Sequence, residues 1–326
     1  MNIRQTMQKL TRVFTAVAAL GLIAIPAAAQ YPSKPIRIVV PFPPGGAADA
    51  MIRIVAQPLS ETLGQPVVVD NRPGADGAIG AELLARSAPD GYTIMFGGNT
   101  SMLGVPTLRK NPPYDVITDF APITLLGKIA FFLVVHPSVP AKTLSELIDY
   151  ARANPGRLNY ATGSVNEILA FAQLKSLANV DMVQVPYKGG APAMPDLLGA
   201  RVQLMFNTGS TVVPLVKEGR LRALATLLPA RSSLLPNVPT IAEAGMPQLS
   251  VVVWAGLFAP AKTPKDIVER LSREVNVILQ RPEIRGQFEK QGLEPGGSTP
   301  GELAAFLKQQ LIDWAGTARA AGLKPE

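Results

Sequence analysis

Ile36-Arg37-Ile38-Val39-Val40-Pro41-Phe42-Pro43-Pro44-Gly45-Gly46-Ala47-Ala48-Asp49 decides how this chain begins to fold. The β-branched run Ile36–Val40 predicts a strand, and the mostly apolar stretch from Ala50 predicts a helix. Between them, Gly45-Gly46 lets the backbone approach a ligand closely. The helix N-terminus adds unpaired N–H groups and a partial positive charge. Such a junction suits a carboxylate or phosphate held by main chain, with no catalytic side chain required.

The residues before this stretch read as an export signal. Arg4, Lys9 and Arg12 form a positive n-region, Val13 to Ile25 an apolar h-region, and Ala27-Ala28-Ala29 a small-residue cleavage site. The apolar run is short for a membrane span. Cleavage after Ala29 would remove three of the chain's 31 Lys and Arg and none of its 24 Asp and Glu, lowering the net charge from +7 to +4. A mature chain of this length suffices for two compact domains. Its basic residues are scattered, which argues against nucleic-acid binding. With no Cys, disulfides and thiolate chemistry are excluded. The single histidine, His136, precedes Pro137 and reads as structural. No G-x-S-x-G elbow and no catalytic carboxylate pair is discernible, and no metal or cofactor is expected.

Strand-like runs alternate with helical ones, among them Pro66–Asp70, Thr93–Phe96, Ile129–Val135, Val202–Phe206 and Leu249–Phe258 on the strand side. This βα alternation predicts an α/β protein with largely parallel sheets. Thr263-Pro264 and Thr299-Pro300 each place an N-cap before a Pro opening a helix. The apolar runs Lys128–His136 and Val251–Pro260 are read as strands passing between two lobes. The expected partition is residues 1–29 as signal peptide, 30–128 plus 254–326 as one lobe, and 129–253 as the other. Ligand sites favour such clefts and the C-terminal ends of parallel strands.

Four βα junctions share small or polar residues: Phe42–Asp49, Gly97–Ser101, Ala161–Ser164 and Tyr187–Gly190. Glycine amides and hydroxyls there can bind carboxylate oxygens. Each alone is an ordinary cap or turn; four together point to one composite pocket. Asp49 reads first as an N-cap, with ligand contact as the alternative. Lys188 is the best candidate cation, or a solvated loop lysine. Phe42 could wall an apolar part of the ligand or pack between lobes. Gly74-x-x-Gly77-x-x-Gly80 is not the G-x-G-x-x-G of dinucleotide sites and reads as a loop anchored by Arg72.

These segments resemble the Bug-type periplasmic solute-binding proteins of tripartite tricarboxylate transport systems. The resemblance covers residues 31–326 and rests on Tyr31-Pro32-Ser33-Lys34-Pro35-Ile36-Arg37, Pro41–Gly46 with Asp49, Val68-Val69-Asp70-Asn71-Arg72-Pro73-Gly74, Val185-Pro186-Tyr187-Lys188-Gly189 and Gly256-Leu257-Phe258-Ala259-Pro260. It implies a two-lobed, type II periplasmic-binding-protein-like fold whose lobes are joined by two crossing strands. It implies small carboxylate ligands held by loop amides and hydroxyls. Carried over by position, the pocket would use Phe42, Gly45, Gly46, Asp49, Asn99, Thr100, Ser101, Thr162, Gly163, Ser164, Lys188, Gly189 and Asn207. The loop after Tyr160 is about two residues shorter than usual, Ile168 stands where many members have His, and Asn207 replaces a frequent Asp.

The expected function is capture of a small carboxylate for the membrane permease subunits of a tripartite tricarboxylate transporter. The protein is expected in the periplasm, as a monomer, without catalysis, cofactor or nucleic-acid partner. A sensor presenting ligand to a signalling partner, or an exported α/β enzyme, would be the alternatives.

Overall fold

Ile36–Val40 forms strand β1, buried along nearly its whole length, and it runs straight into the loop that opens helix α1 (Ala47–Leu63). The computed structural model describes residues 31–249, 251–320, 322, 323 and 325; the expected signal peptide and its cleavage site lie outside them. Of the first 33 residues only 31–33 are described, with a cis peptide between Tyr31 and Pro32. Residues 34–326 pack as one unit.

After α1 come β2 (Val67–Asn71), α2 (Ala78–Ala85) and β3 (Thr93–Gly98), then a tight helical turn, Thr100–Gly104, leading into α3 (Val105–Leu108). β4 (Phe120–Ile129) and β5 (Phe131–Val135) follow, separated by Ala130 alone. Next are α4 (Leu144–Ala153), β6 (Asn159–Thr162), α5 (Val165–Ala178), β7 (Val183–Pro186), α6 (Gly190–Leu198), β8 (Leu204–Thr208), α7 (Gly209–Lys217) and β9 (Arg222–Thr226). The chain ends with β10 (Trp254–Pro260), α8 (Lys265–Leu279), α9 (Pro282–Lys290), β11 (Leu293–Pro295) and α10 (Pro300–Ala320).

Two sheets result, ordered β11-β4-β10-β3-β1-β2 and β7-β6-β8-β5-β9. They are mixed, where parallel pairing was expected to dominate. β1 pairs parallel with β2 and β3, and β6 with β7 and β8, whereas β10 is antiparallel to β3 and β4, and β5 to β8 and β9. The reversed strands are β5 and β10, each of which enters its sheet where the chain crosses over, and the short β11, antiparallel to β4. The expected strand Ile129–Val135 is broken at Ala130: β4 belongs to the first sheet and β5 to the second.

The return crossing also differs from expectation. Residues Val251 to Val253 carry no strand, and β10 starts only at Trp254. The two crossing paths are nevertheless tied, the Ile129 N–H donating to the Val253 carbonyl at 2.7 Å.

β5 is buried on both faces, which explains its unbroken apolar sequence. Phe131, Leu133 and Val135 join a core that continues through Phe206 and Phe171 to Trp254 and Phe258 of the first sheet and Leu303 of α10. Phe132 and Val134 join a second cluster with Met205 and Val212. At the C-terminal helices, Thr299 caps as expected, accepting from the Glu302 N–H at 3.2 Å. Thr263 does not: Pro264 is the N-cap of α8, and the Thr263 hydroxyl donates to the Pro260 carbonyl at 2.7 Å.

Candidate functional site

The β1–α1 junction opens onto a cavity of about 760 Å³ between the two sheets' loops, within the range typical of small-molecule sites. On the first-sheet side its walls are Pro41, Phe42 and Pro43, the turn around Gly74 to Gly77, and the segment from Thr100 to Arg109. On the second-sheet side they are Gly163, Ser164 and Val165, with Leu323 completing the lining. Of the residues expected from sequence, Phe42, Thr100, Gly163 and Ser164 are in this lining. Phe42 also packs edge-on against Phe96, with centroids 6.1 Å apart, so it braces the loop as well as walling the cavity.

The other expected residues lie behind or beside the lining, and most have visible structural work. Asp49 is buried at the third position of α1, where it accepts from the Gly45 N–H at 2.9 Å and from Arg53 Nε at 3.0 Å. Its other oxygen accepts from Asn71 Nδ2 at 3.0 Å. The Arg53 hydrogen bond leads in holding its carboxyl down at about 2, with Gly45 and Asn71 helping against the opposing effect of burial. The N-cap is Gly46, so the reading of Asp49 as N-cap is corrected: it reaches back from the first turn to pin the loop. Gly45 and Gly46 are solvent-exposed, and the Gly45 amide is committed to Asp49.

Asn99 is buried at the end of β3 and staples the return crossing. Its Nδ2 donates to the Val252 carbonyl at 2.7 Å, and its Oδ1 accepts from the Trp254 N–H at 3.0 Å. Ser101 is fully buried, its carbonyl accepting from Tyr114 Oη, while burial pushes the Tyr114 phenol above its ordinary range. Thr162 is buried and its hydroxyl accepts from Gln184 Nε2 at 2.9 Å. Lys188 is exposed. Gly189 and Gly190 are packing positions: a Cβ on Gly163 would overlap the Gly189 carbonyl carbon, and one on Gly190 would lie 2.8 Å from Asn207 Nδ2. Asn207 is buried, accepting from the Thr208 N–H at 2.7 Å. His136 is absent from the lining; its Nδ1 lies 2.7 Å from Ser138 Oγ.

Two features of the site went unread in the sequence. Glu167, buried at the third position of α5, accepts from the amides of Gly163 and Ser164. Burial is the dominant cause raising its carboxyl to about 7, outweighing the amides that favour the ion. The Ser164-x-x-Glu167 spacing is a capping-box signature that could have revealed it. Arg109 and Asp76 also line the cavity. No comparable signal marked them, because the helical turns joining Thr100 to Leu108 follow no recognisable periodicity.

The sheets, crossing paths and interloop cavity can be set beside known proteins. Residues 51–323 match the model of the tripartite tricarboxylate transporter family receptor. The chain belongs to this family. Among relatives of the receptor, protein BugT of Bordetella pertussis is 37% identical over 313 residues, covering 94% of this chain and 95% of BugT. Rpa4515 of R. palustris, solved with adipate, superposes with a TM-score of 0.80 at 33% identity, covering 91% of this chain and 100% of that one. MatC from Rhodopseudomonas palustris, solved with bound malate, gives 0.74 at 32% identity, covering 88% and 99%. The receptor thus has the two-lobed architecture of these binding proteins.

Proposed function

We propose that this receptor captures a small carboxylate in the cavity between its two sheets and hands it to the permease subunits of a tripartite tricarboxylate-type transporter. The observation that carries this reading is the cavity itself, which combines apolar walls with the Thr100 and Ser164 hydroxyls and a nearby cation. Relatives of the same architecture hold adipate and malate. No nucleophile–base pair is recognisable in the lining, so binding alone is assigned. In this reading residues 1–29 direct export to the periplasm. Residues 30–128 with 254–326 form one lobe, 129–253 form the other, and the protein acts as a monomer.

The thirteen residues carried over from sequence enter this proposal at two levels. Phe42, Thr100, Gly163 and Ser164 contact the ligand. Asp49, Asn99, Ser101, Thr162 and Asn207 hold the loops that present them, and Gly45, Gly46, Lys188 and Gly189 flank the cleft. Titration calorimetry of the mature protein against a panel of organic acids is the direct test. Saturable binding of at least one carboxylate is expected, and a flat response across the panel would refute the proposal.

A further inference from the structure

Gly163 and Ser164, which line the cavity on the second-sheet side, are held by a carboxylate of the protein itself. Glu167 is only 4% exposed at the third position of α5. One oxygen, Oε2, accepts from both amides, that of Ser164 at 3.2 Å, and the Ser164 hydroxyl joins them. Neutral donors stabilise a buried ion only in part, and no charged side chain stands among the partners of Glu167.

The main elements packed against α5 do not supply one. β6 brings Tyr160, which packs on Phe171, while β8 and the Thr100–Gly104 turn carry no titratable residue. Lys175 of α5 itself donates to the Met182 carbonyl at 2.8 Å. The half of α10 that meets α5 through the Gln173–Thr317 hydrogen bond carries Asp313 and Arg319. Asp313 accepts from Gln309 at 2.8 Å, and Arg319 donates to the Ala315 carbonyl at 3.4 Å. Beside Gly163, Tyr187 donates to Asp196 at 2.7 Å, and Lys188 is exposed. In the cavity, Arg109 donates to the Ala75 carbonyl at 2.9 Å, next to Asp76.

A buried acid without a cation responds strongly to added negative charge, because little water lies between to screen it. The cavity wall and the amide pair are the same two residues, so an anion drawn against this wall approaches Glu167 across one loop. Burial already raises the carboxyl to about 7, which makes its proton exchangeable at neutral pH.

We propose that Glu167 is a positioning residue that couples ligand capture to proton uptake. An anion against the Gly163–Ser164 wall disfavours the carboxylate, one proton passes from solvent to Glu167, and the amides keep a neutral acceptor in place of an ionised one. No other bond to hydrogen is made or broken in the exchange. This rests on the carboxylate-binding reading above. Its consequence is tighter capture on the acidic side of neutrality and easier release on the alkaline side.

Calorimetry of the mature protein with malate and with adipate, from about pH 6.5 to 8.5, tests the coupling where the acids themselves are already ionised. Each titration is run in two buffers of different ionisation enthalpy, so that proton uptake is read directly. If the ligand's charge disfavours the ion about tenfold, roughly half a proton is taken up per ligand near pH 7.5, and affinity falls roughly three- to tenfold across the range. Glu167→Gln, which keeps an acceptor for both amides, should take up no proton. It should match wild type near pH 6.5 and bind more tightly by that same factor near pH 8.5. No uptake in wild type, or uptake retained in the variant, would overturn the inference while leaving carboxylate capture intact. A variant weaker than wild type by one factor at every pH would overturn it too, since Glu167 would then serve only as a cap. Should the variant not fold, a carbon NMR titration of the wild-type Glu167 carboxyl decides: its midpoint must rise on saturation with ligand, and an unmoved midpoint refutes the coupling. Binding of no organic acid would remove the carboxylate reading itself, and this inference with it.

Discussion

Glu167 and Asp49 occupy the same helical position, the third residue, in the two helices that open beside the cavity, yet their chemistry diverges. Asp49 is met by Arg53 and by two further donors, and its acidity is strengthened. Glu167 is met by two amides and the Ser164 hydroxyl, with no cation, and its acidity is weakened because burial dominates. The signs of their pH linkage are therefore opposite. Asp49 contributes stability that is present above its unfolded value of 3.8 and is lost as pH falls through about 2. Asp49→Asn should cost about 1–3 kcal/mol at neutral pH, since donors are left facing an amide. Urea unfolding should show that deficit shrinking toward pH 2. Glu167 stays neutral in the fold up to about pH 7 while it ionises above 4.5 in the unfolded chain, so stability falls progressively across that window. Glu167→Gln should thus gain on wild type across that window by up to roughly 3 kcal/mol. A variant-to-wild-type difference that does not change with pH would show that Glu167 titrates normally.

At the scale of elements, glycines at loop ends serve two separate purposes, and substitution distinguishes them. Gly45 has φ of 78° with open space around its Cβ position, so its role is conformational. Gly163 has no such dihedral constraint, but its Cβ direction is filled by the backbone of Gly189. Gly45→Ala should cost about 1–2 kcal/mol through strain alone. Gly163→Ala must push the Gly163 and Gly189 backbones apart, costing about 1–3 kcal/mol and displacing the second-sheet wall of the cavity. Thermal unfolding combined with ligand titration separates the two cases: only the Gly163 variant should also lose ligand affinity.

The β1–α1 unit was legible in the sequence because its strand run and glycine pair are local signals, and the same holds for the apolar runs of β2 and β5. β4 was not legible. Its Pro122 and Gly127 break the pattern that marks a strand, and the structure absorbs them at two register shifts against β10. Gly127 is required there because a Cβ would overlap the Glu294 carbonyl. Arg109 and Asp76 were invisible for a different reason: they come to line one cavity only after two loops some thirty residues apart in sequence close on each other, the Arg109 side chain reaching the Ala75 carbonyl.

For the whole molecule, the decisive connections are the two narrow crossings between sheets. The first is Ala130, a single residue between β4 and β5; the second is the irregular path through Val251 to Val253. Irregular backbone at that point can absorb a rotation that a continuous strand would resist. Asn99, one of the site residues expected from sequence, fastens this path with both polar atoms of its amide. It couples the cavity-side turn at Thr100 to the crossing one residue away. Ligand bridging the cavity walls would therefore draw the sheets together about Ala130 and Val251–Val253. Small-angle scattering should show the radius of gyration of the mature protein decreasing on saturation toward about 19 Å, the value for a compact chain of this length. Asn99→Ala should leave the Trp254 N–H and the Val252 carbonyl without their partner, loosening the crossing at a cost of about 1–3 kcal/mol. Its unliganded form should scatter as a broader distribution of sizes, while saturating ligand restores a compact form. A radius that is the same with and without ligand in both proteins would mean that the crossings are rigid and that capture proceeds without closure.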